Sequence, residues 1–303
     1  MKYASIDVGT NTVLMLIAEA APGELSEILD VSLITRLGEG LKEKGHLSDE
    51  AMDRTFRALE EYRRIIEENR VREVLCVGTS ALREAANSEV FLRMVREGLQ
   101  IPIRVISEGD EAFYTYLSVK QDRLLDAGMA LIADIGGGST EVIKGDNSRF
   151  LDFVSLPVGS VKLTEMFIKH DPPLEEELSA LADHVRGLFR FPFDGSGDIF
   201  VGTGGTITNL ASIVLGLEAF EADKVHALKV SMREIEKVIE TIKGLRTHER
   251  RAVKGMEKGR EDLILQGIIL LREIMLYFGM VAVTVSTRGV RHGVLYDKIR
   301  LAR

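Results

Sequence analysis

The hydrophobic and polar positions in the first part of the chain predict alternating strands and helices. Short apolar runs next to glycine or polar residues predict strands, and apolar residues at helical spacing predict helices. The predicted strands cover residues 3–8, 12–20, 24–36, 73–78 and 103–106, with a Pro22–Gly23 turn between the second and third. The predicted helices cover residues 51–69, with Ser48 as N-cap, then 87–98 and 109–119.

The same order of elements starts again at residue 130. Strands are predicted at residues 130–134, 140–144, 150–156, 198–201 and 281–285, and helices at 161–169, 174–188, 206–214, 232–245 and 262–277. A strand, a glycine turn, a strand pair and then alternating helices and strands therefore occur twice. The sequence predicts an α/β fold with two similar halves, residues 1–124 and 125–303, and a boundary near residues 120–128.

Composition adds limits on compartment and partners. The chain has 303 residues and a formal net charge of −8, which fits two globular domains and argues against a general nucleic-acid binder. The N-terminus lacks a basic signal-peptide region, and no apolar stretch reaches the roughly 18 residues of a membrane span. Cys76 is the single cysteine, so it cannot form an intrachain disulfide, and we interpret it as a core residue. We therefore expect a cytoplasmic protein with no membrane or nucleic-acid partner.

Three glycine-rich turns follow predicted strands. In the first, Asp7 is followed by Gly9, Thr10, Asn11 and Thr12, which offer a carboxylate and several hydrogen-bond donors. Gly permits close approach of a ligand, so the turn can present N–H groups to phosphate while Asp7 contacts a metal or water. The alternative interpretation is a hairpin turn with Asp as an ordinary turn residue.

The second and third turns strengthen the case for phosphate binding. The second runs from Asp134 through Gly136, Gly137, Gly138 and Ser139. The third contains Gly204, Gly205 and Thr206 and lies at the start of a predicted helix, where the helix dipole favours anions. Its spacing is neither that of a dinucleotide-binding fingerprint nor that of a lysine-bearing phosphate loop.

These turns belong to an ordered set of motifs that resembles the exopolyphosphatase/guanosine pentaphosphate phosphohydrolase (Ppx/GppA) family, in its short two-domain form. The set is DVGTNT (7–12), RLGEGL (36–41), TSALREA (79–85), SEGDEA (107–112), DIGGGSTE (134–141), LPVGSV (156–161), GTGGT (202–206) and STRGVRHG (286–293). This family lies within the superfamily of actin, sugar kinases and heat-shock chaperone ATPases. The resemblance implies two actin-like (ribonuclease H-like) domains with an interdomain cleft that closes on a phosphate chain.

The resemblance also implies roles for individual residues. Glu111 corresponds to the family's catalytic carboxylate, which orients or deprotonates the attacking water, and Arg83 to its phosphate-binding arginine. Asp134 corresponds to the metal-associated carboxylate, with Asp7 facing it, and the implied cofactor is Mg²⁺ or Mn²⁺. Without the resemblance, Glu111 would be interpreted as part of an acidic first helical turn and Arg83 as a solvated charge.

Two departures from the family pattern affect this assignment. His292 stands where family members commonly carry an acidic residue. The glycine of residues 106–112 is displaced, which leaves Asp110 as the alternative to Glu111. The six histidines are scattered without zinc-ligand spacing, and we expect them to be surface or core residues. The basic residues between 243 and 260 form either a solvated connection or a rim that recruits phosphates.

The predicted function is an exopolyphosphatase that releases terminal orthophosphate from inorganic polyphosphate by metal-assisted attack of water. The first alternative is a guanosine pentaphosphate 5′-phosphohydrolase. Two others on the same fold are a small-molecule kinase and a non-catalytic ATP-binding protein. The resemblance and general base rates also predict a homodimer.

Overall fold

The structure is a computed structural model that describes residues 1–21, 24–122, 124–125, 128–195 and 199–301. The chain divides into two compact units, which we call unit 1 and unit 2. Unit 1 is Met1–Ser118 together with Val290–Arg303, and unit 2 is Val119–Gly289. Each unit contains one β-sheet with helices packed against it.

Unit 1 contains a five-stranded mixed sheet in the order β3-β2-β1-β4-β5. Its strands are β1 (Lys2–Val8), β2 (Thr12–Ala21), β3 (Glu24–Ile34), β4 (Glu73–Gly78) and β5 (Ile103–Val105). The first three strands form an antiparallel meander, and β1, β4 and β5 are parallel. The apolar runs of the sequence thus become the central strands of the sheet.

Helices cover both faces of the unit 1 sheet. They are α1 (Leu41–Lys44), α2 (Asp49–Glu68), α3 (Ser80–Glu84), α4 (Ser88–Leu99), α5 (Glu108–Gln121) and α13 (Val290–Leu301). Leu59 of α2 and Phe91 of α4 share a buried cluster with Ile6 of β1. On the other face, Val294 of α13 is buried with Val77 of β4 and Tyr114 of α5. The predicted N-cap of α2 is confirmed, because Ser48 Oγ accepts a hydrogen bond from Ala51 N.

Unit 2 contains a six-stranded sheet in the order β10-β11-β9-β6-β7-β8. The strands are β6 (Ala130–Ile135), β7 (Thr140–Gly145), β8 (Phe150–Leu156), β9 (Ile199–Thr203), β10 (Lys229–Ser231) and β11 (Ala282–Val285). Here β6, β7 and β8 form the antiparallel meander, and β6, β9 and β11 are parallel.

The core of unit 2 is built around one central helix. The helices are α6 (Ser160–Phe167), α7 (Glu175–Leu188), α8 (Gly205–Leu215), α9 (Ala222–Val225), α10 (Met232–Ile242), α11 (Thr247–Arg250) and α12 (Ile264–Tyr277). Nearly every residue of α12 from Ile264 to Met275 is buried, and its apolar residues share a cluster with those of α7, α8 and α10. A helix that is apolar on all sides needs partners on all sides, and the neighbouring helices supply them.

The two sheets have the same topology, which confirms the predicted α/β fold with two similar halves. The order β3-β2-β1-β4-β5 of unit 1 corresponds to β8-β7-β6-β9-β11 of unit 2, with β10 added at the edge. Each half contains an antiparallel meander followed by two strands parallel to its first strand. The Pro22–Gly23 turn and the predicted strand start at Asp198 lie outside the described residues.

The observed division differs from the predicted domains 1–124 and 125–303 at both ends. It falls within α5, after Ser118, and returns Val290–Arg303 to unit 1. The physical reason is the buried face of α13, where Val290 and Val294 pack with Val77, and Leu295 packs with Leu16. No helix among the described residues is long and apolar enough to cross a membrane.

The start of α7 depends on one carboxylate. Glu177 Oε2 accepts a hydrogen bond from Leu174 N (3.0 Å), and Oε1 accepts one from Lys169 N (2.9 Å). Oε1 also lies 2.9 Å from Nδ1 of His170. Burial opposes ionisation of Glu177, but His170 and the two N–H groups outweigh it and lower the pKa of this carboxyl from 4.5 to about 2.

We expect Glu177→Gln to lower the free energy of unfolding by about 1 kcal/mol at neutral pH, as for a lost helix cap. A carboxyl with a lower pKa in the folded state stabilises the fold above its unfolded-state pKa, and this contribution is lost as the pH falls. The difference between wild type and variant should shrink as the pH falls from 4.5 towards 2. Urea unfolding at several pH values measures it, with exposed Glu176→Gln as control. A difference independent of pH would contradict the assignment.

Candidate active site

The predicted site residues of unit 1 follow the carboxyl ends of its parallel strands. β1 pairs in parallel with β4, and β4 with β5, so these ends lie at one edge of the sheet. The first glycine turn follows β1, Thr79 to Arg83 follow β4, and Ser107 to Glu111 follow β5. Ligands in open α/β sheets bind at such an edge. The fold therefore brings Asp7, Arg83 and Glu111 to the same edge of unit 1.

The first turn is a short hairpin connection between β1 and β2. Gly9 N donates a hydrogen bond to Thr12 O (3.0 Å), and Asn11 O accepts hydrogen bonds from Thr35 N and Arg36 N. Thr10, Asn11 and Thr12 are all buried. The backbone geometry is the one that the hairpin interpretation predicts, and the N–H of Gly9 is used within the turn. A phosphate-binding role for the other groups of the turn stays a prediction.

Asp7 is a buried carboxylate near the end of β1, two residues before Gly9. It is 9% exposed and contributes to the electrostatic environment of Arg291. Burial alone would lower the pKa of Arg291, but Asp30 and, to a smaller extent, Asp7 and Glu27 raise it. A carboxylate held at a strand end by a rigid sheet is suited to contact a hard cation or a water molecule.

Arg83 and Glu111 form a largely buried ion pair. Arg83 Nη1 donates to Glu111 Oε2 (2.6 Å) and to the backbone oxygen of Ile106 (3.1 Å). The side chains of Arg83 and Glu111 are only 17% and 10% exposed. A guanidinium group has five N–H donors, so Arg83 can hold Glu111 with one of them and bind an anion with others. The pair therefore places a carboxylate and a guanidinium group side by side.

Asp110, the alternative to Glu111, makes different contacts in the structure. Asp110 Oδ2 accepts a hydrogen bond from Ser107 N, and Ser107 Oγ accepts one from Asp110 N. This reciprocal arrangement is a capping box that satisfies the first turn of α5. Asp110 thus has a local structural role, whereas Glu111 is buried against Arg83.

Unit 2 repeats the arrangement at the ends of β6, β9 and β11. Asp134 is partly buried near the end of β6, and its register partner on β9 is Thr203. The second glycine turn follows β6, the third follows β9, and residues 286–289 follow β11. Ser286 N donates to Gly202 O (2.8 Å), and Thr203 Oγ1 donates to Arg288 O (2.6 Å). The predicted residues of unit 2 therefore lie at one sheet edge.

The second turn is fixed to the start of α6. Gly136 O accepts a hydrogen bond from Ser160 N, and Gly137 O accepts one from Val161 N, both at 3.0 Å. Gly159 packs directly against this turn, because a Cβ atom at that position would lie 2.5 Å from Gly136 O and 2.6 Å from the carbonyl carbon of Gly137. Gly138 and Ser139 complete the turn and are buried. The position of the turn therefore depends on the absence of a side chain at Gly159.

The third turn leads directly into α8. Gly204 has a φ of 94°, which favours glycine, and Thr206 is buried in the first turn of the helix. The guanidinium group of Arg260 packs against Gly205, where a Cβ atom would lie 2.2 Å from Nη2. Arg260 is only 9% exposed and pairs with Glu257. A positive group thus lies over the helix N-terminus that the sequence predicted as an anion site.

The basic residues between 243 and 260 have several different roles in the structure. Arg250 is 1% exposed and donates from Nε to Ile242 O and from Nη1 to Glu261 O. Burial lowers its pKa. Lys243 and Lys254 form ion pairs with glutamates at the surface. Neither a solvated connection nor a uniform phosphate rim describes this segment, since Arg250 is a core residue and Arg260 contacts the third turn.

The structure also shows the burial of Cys76 and of the histidines, which can be compared with the interpretation from sequence. Cys76 is a buried residue of β4, as expected, and burial raises the pKa of its thiol. His170 and His46 are exposed, but His292 is buried in unit 1 beside Glu27 and Asp30. These three histidines fit the interpretation as surface or core residues, and His292 is a core residue with two carboxylates beside it. Its carboxylate neighbours are far away in the sequence, so residue spacing could not predict them.

Comparison with known proteins identifies the family. The model of the Ppx/GppA phosphatase family matches residues 16–302. The chain is 31% identical to the bifunctional 3-dehydroquinate synthase/phosphatase of Fusobacterium nucleatum, covering 98% of this chain and 46% of that protein. It is 30% identical to exopolyphosphatase 2 of Mycobacterium tuberculosis, covering 97% of both chains.

A solved structure agrees with this match. The crystal structure of the Aquifex aeolicus member of the Ppx/GppA family is 35% identical in sequence, with a TM-score of 0.82, and covers 100% of this chain and 99% of that one. The family match and the structural match both extend over nearly all of the chain. The chain therefore belongs to the Ppx/GppA phosphatase family.

Proposed function

We propose that this protein is an exopolyphosphatase that releases terminal orthophosphate from inorganic polyphosphate. The observation that carries the proposal is the buried Arg83–Glu111 pair at the carboxyl ends of parallel strands. Two relatives support the substrate class, since proteins named exopolyphosphatase 2 and exopolyphosphatase 1 in Mycobacterium tuberculosis are 30% and 26% identical to this chain. Both relatives match over nearly the whole of this chain.

In the proposed reaction, Glu111 orients a water molecule and accepts its proton as the water oxygen attacks the terminal phosphorus. The P–O bond to the next phosphate breaks, so that orthophosphate and a chain one unit shorter are formed. Arg83 and those N–H groups of the glycine turns that make no hydrogen bond within the turns are proposed to bind the anionic oxygens, on which charge develops in the transition state. The Arg83–Glu111 hydrogen bond would hold the carboxylate in one orientation during this step.

The proposed cofactor is Mg²⁺, or Mn²⁺ in its place. Asp7 and Asp134 are the proposed metal-associated residues, and their carboxylate oxygens are the ligand type that these hard cations prefer. Both are held near the ends of central strands, which fits a ligand that must keep its position. When bound, the cation would neutralise negative charge on the phosphate oxygens.

The proposal is tested by measuring orthophosphate release from long-chain polyphosphate, guanosine pentaphosphate and ATP side by side. We expect release from polyphosphate that stops when Mg²⁺ is removed by a chelator and returns when Mg²⁺ is added. Release from guanosine pentaphosphate alone would instead establish the alarmone phosphatase. Formation of ADP only in the presence of an acceptor would favour a kinase, and tight ATP binding without turnover a non-catalytic protein.

Two further parts of the proposal rest on the family resemblance and composition. We propose that the protein acts in the cytoplasm and that it forms a homodimer. Light scattering on purified protein measures the mass of the assembly, and a mass of one chain would contradict the second part.

A further inference from the structure

A β-bulge in unit 1 places two carboxylates on one face of the sheet. Ile17 of β2 pairs with Leu29 of β3, but Ala18 pairs with Glu27, so one extra residue is inserted in β3. Side chains alternate between the faces of a strand, and a separation of three residues would ordinarily place them on opposite faces. Because of the bulge, Glu27 lies beside Ala18 and Asp30 beside Leu16. Bulges commonly re-aim side chains in this way.

Helix α13 covers the same face and adds a histidine. Leu295 of α13 is buried together with Leu16 and Ala18, the register partners of Asp30 and Glu27. His292 lies one helical turn before Leu295, so both residues point towards the same strands. Its Nε2 lies 3.5 Å from Glu27 Oε1 and 4.0 Å from Asp30 Oδ2. Three elements that are distant in sequence thus bring an imidazole and two carboxylates together.

The histidine ring is buried without a hydrogen-bond partner. His292 is 1% exposed, and neither ring nitrogen has a hydrogen bond of acceptable geometry to a described residue, since Glu27 Oε1 lies 3.5 Å from Nε2. A buried polar group without a partner lowers the stability of the fold, so such a group calls for an explanation. A neutral imidazole has a lone pair that can bind a metal ion.

We propose that Glu27, Asp30 and His292 form a binding site for a divalent first-row transition-metal ion of the Zn²⁺ type. One ligand atom from each residue lies within 4.8 Å of the other two. Two metal–ligand bonds of about 2.1 Å place their ligand atoms about 3.4 Å apart at the tetrahedral angle. The observed separations of 3.5 and 4.0 Å therefore need only small side-chain movements to accept the ion.

The chemistry of the ligands selects the class of metal. Imidazole nitrogen favours Zn²⁺ and its neighbours in the transition series, whereas Mg²⁺ and Ca²⁺ favour sites made of oxygen ligands alone. The side chains of Glu27 and Asp30 are 34% and 33% exposed, so water can complete the coordination. This site does not depend on the proposed hydrolysis, since it uses none of the residues assigned to that reaction.

Arg291 fixes the orientation of the Asp30 carboxylate. Its Nε and Nη2 donate to Asp30 Oδ1 and Oδ2, at 2.8 and 2.6 Å. Each carboxylate oxygen has two lone pairs, so Asp30 can accept these hydrogen bonds and still bind a cation. Hydrogen bonds to metal-binding carboxylates are common and fix their orientation. A bound ion would connect α13 to the edge strand β3 and so stabilise unit 1 against unfolding.

The test is equilibrium binding of Zn²⁺ and Co²⁺ to the full chain after treatment with a chelator, in the presence of excess Mg²⁺. We expect one ion per chain, visible absorption from bound Co²⁺, and a higher temperature of unfolding with Zn²⁺. His292→Gln and Glu27→Gln should each weaken binding by about 10–100-fold or more and remove the thermal shift. Circular dichroism checks the folding of both variants, and the partly exposed Glu27 provides the test if His292→Gln does not fold.

His170→Gln is the matched control, since His170 also lies beside a glutamate, with Nδ1 2.9 Å from Glu177 Oε1, but outside the cluster. It should bind Zn²⁺ like the wild type. Absence of a stoichiometric Zn²⁺ site in the wild type would overturn the proposal, and so would unchanged binding in Glu27→Gln. Orthophosphate release by Glu27→Gln should stay at the wild-type level, so a failure of the metal site and a failure of the proposed hydrolysis give different results.

Discussion

Glu111→Gln should lower the turnover of polyphosphate by about 10²–10⁴-fold, the usual contribution of a general base. The amide oxygen of Gln can still accept the hydrogen bond from Arg83 Nη1, so the variant keeps the contact that holds the side chain. It cannot accept a proton from the attacking water. Glu111→Ala is less suitable, because it would leave the largely buried Arg83 without its charged partner and would mix a folding effect with a catalytic one.

The matched control is Glu108→Gln, which removes an exposed carboxylate from the same first turn of α5. Each variant removes one negative charge from the first turn of α5, near the same helix N-terminus. If the acidic turn acted only through the helix dipole, the two variants would have similar, small effects. Orthophosphate release under saturating substrate measures the difference. Turnover of folded Glu111→Gln within a fewfold of Glu108→Gln would remove Glu111 from the mechanism.

The elements with strong periodicity could be predicted from sequence, and the two halves followed from them. Short elements could not, because helices such as α3 and α11 are too short to show a period. The most consequential omission was α13. Gly293 lies in its first turns, and a glycine inside a helical pattern normally argues against a helix. The structure requires this glycine, because a Cβ atom there would lie 2.0 Å from the backbone oxygen of Tyr114.

The predicted site residues differ in how much local sequence could say about them. The turn glycines and the carboxylates at strand ends follow from a strand–turn pattern that is continuous in sequence. The pairing of Arg83 with Glu111 joins residues 28 positions apart, and only the family resemblance suggested that both have a role. The contact of Arg260 with Gly205 and the convergence of Glu27 with His292 depend on long-range packing. No spacing rule encodes such contacts.

Gly159→Ala should reduce both stability and turnover, although alanine is among the least disruptive substitutions in most places. Gly159 has extended backbone angles (φ −151°, ψ −177°) that any residue can adopt, so conformational strain is not the cause. The cause is contact with the second glycine turn. An added Cβ atom would lie 2.5 Å from Gly136 O and 2.6 Å from Gly137 C and O. Backbone atoms cannot move aside as a flexible side chain can, so we expect a loss of about 1–3 kcal/mol in unfolding free energy.

The effect on turnover follows from the same displacement. If the turn of Gly136 to Ser139 binds the phosphate chain, a shift approaching 1 Å should lower turnover on the order of 10²-fold. Gly187→Ala is the control, since Gly187 lies in α7 with no atom within 4 Å of its added Cβ, and helix propensity predicts a gain of about 0.5–1 kcal/mol. Urea unfolding and orthophosphate release should therefore separate the two variants in opposite directions. If Gly159→Ala were destabilised but turned over substrate at the wild-type rate, the second turn would be a structural connection, and phosphate binding would have to be assigned to other groups of the site.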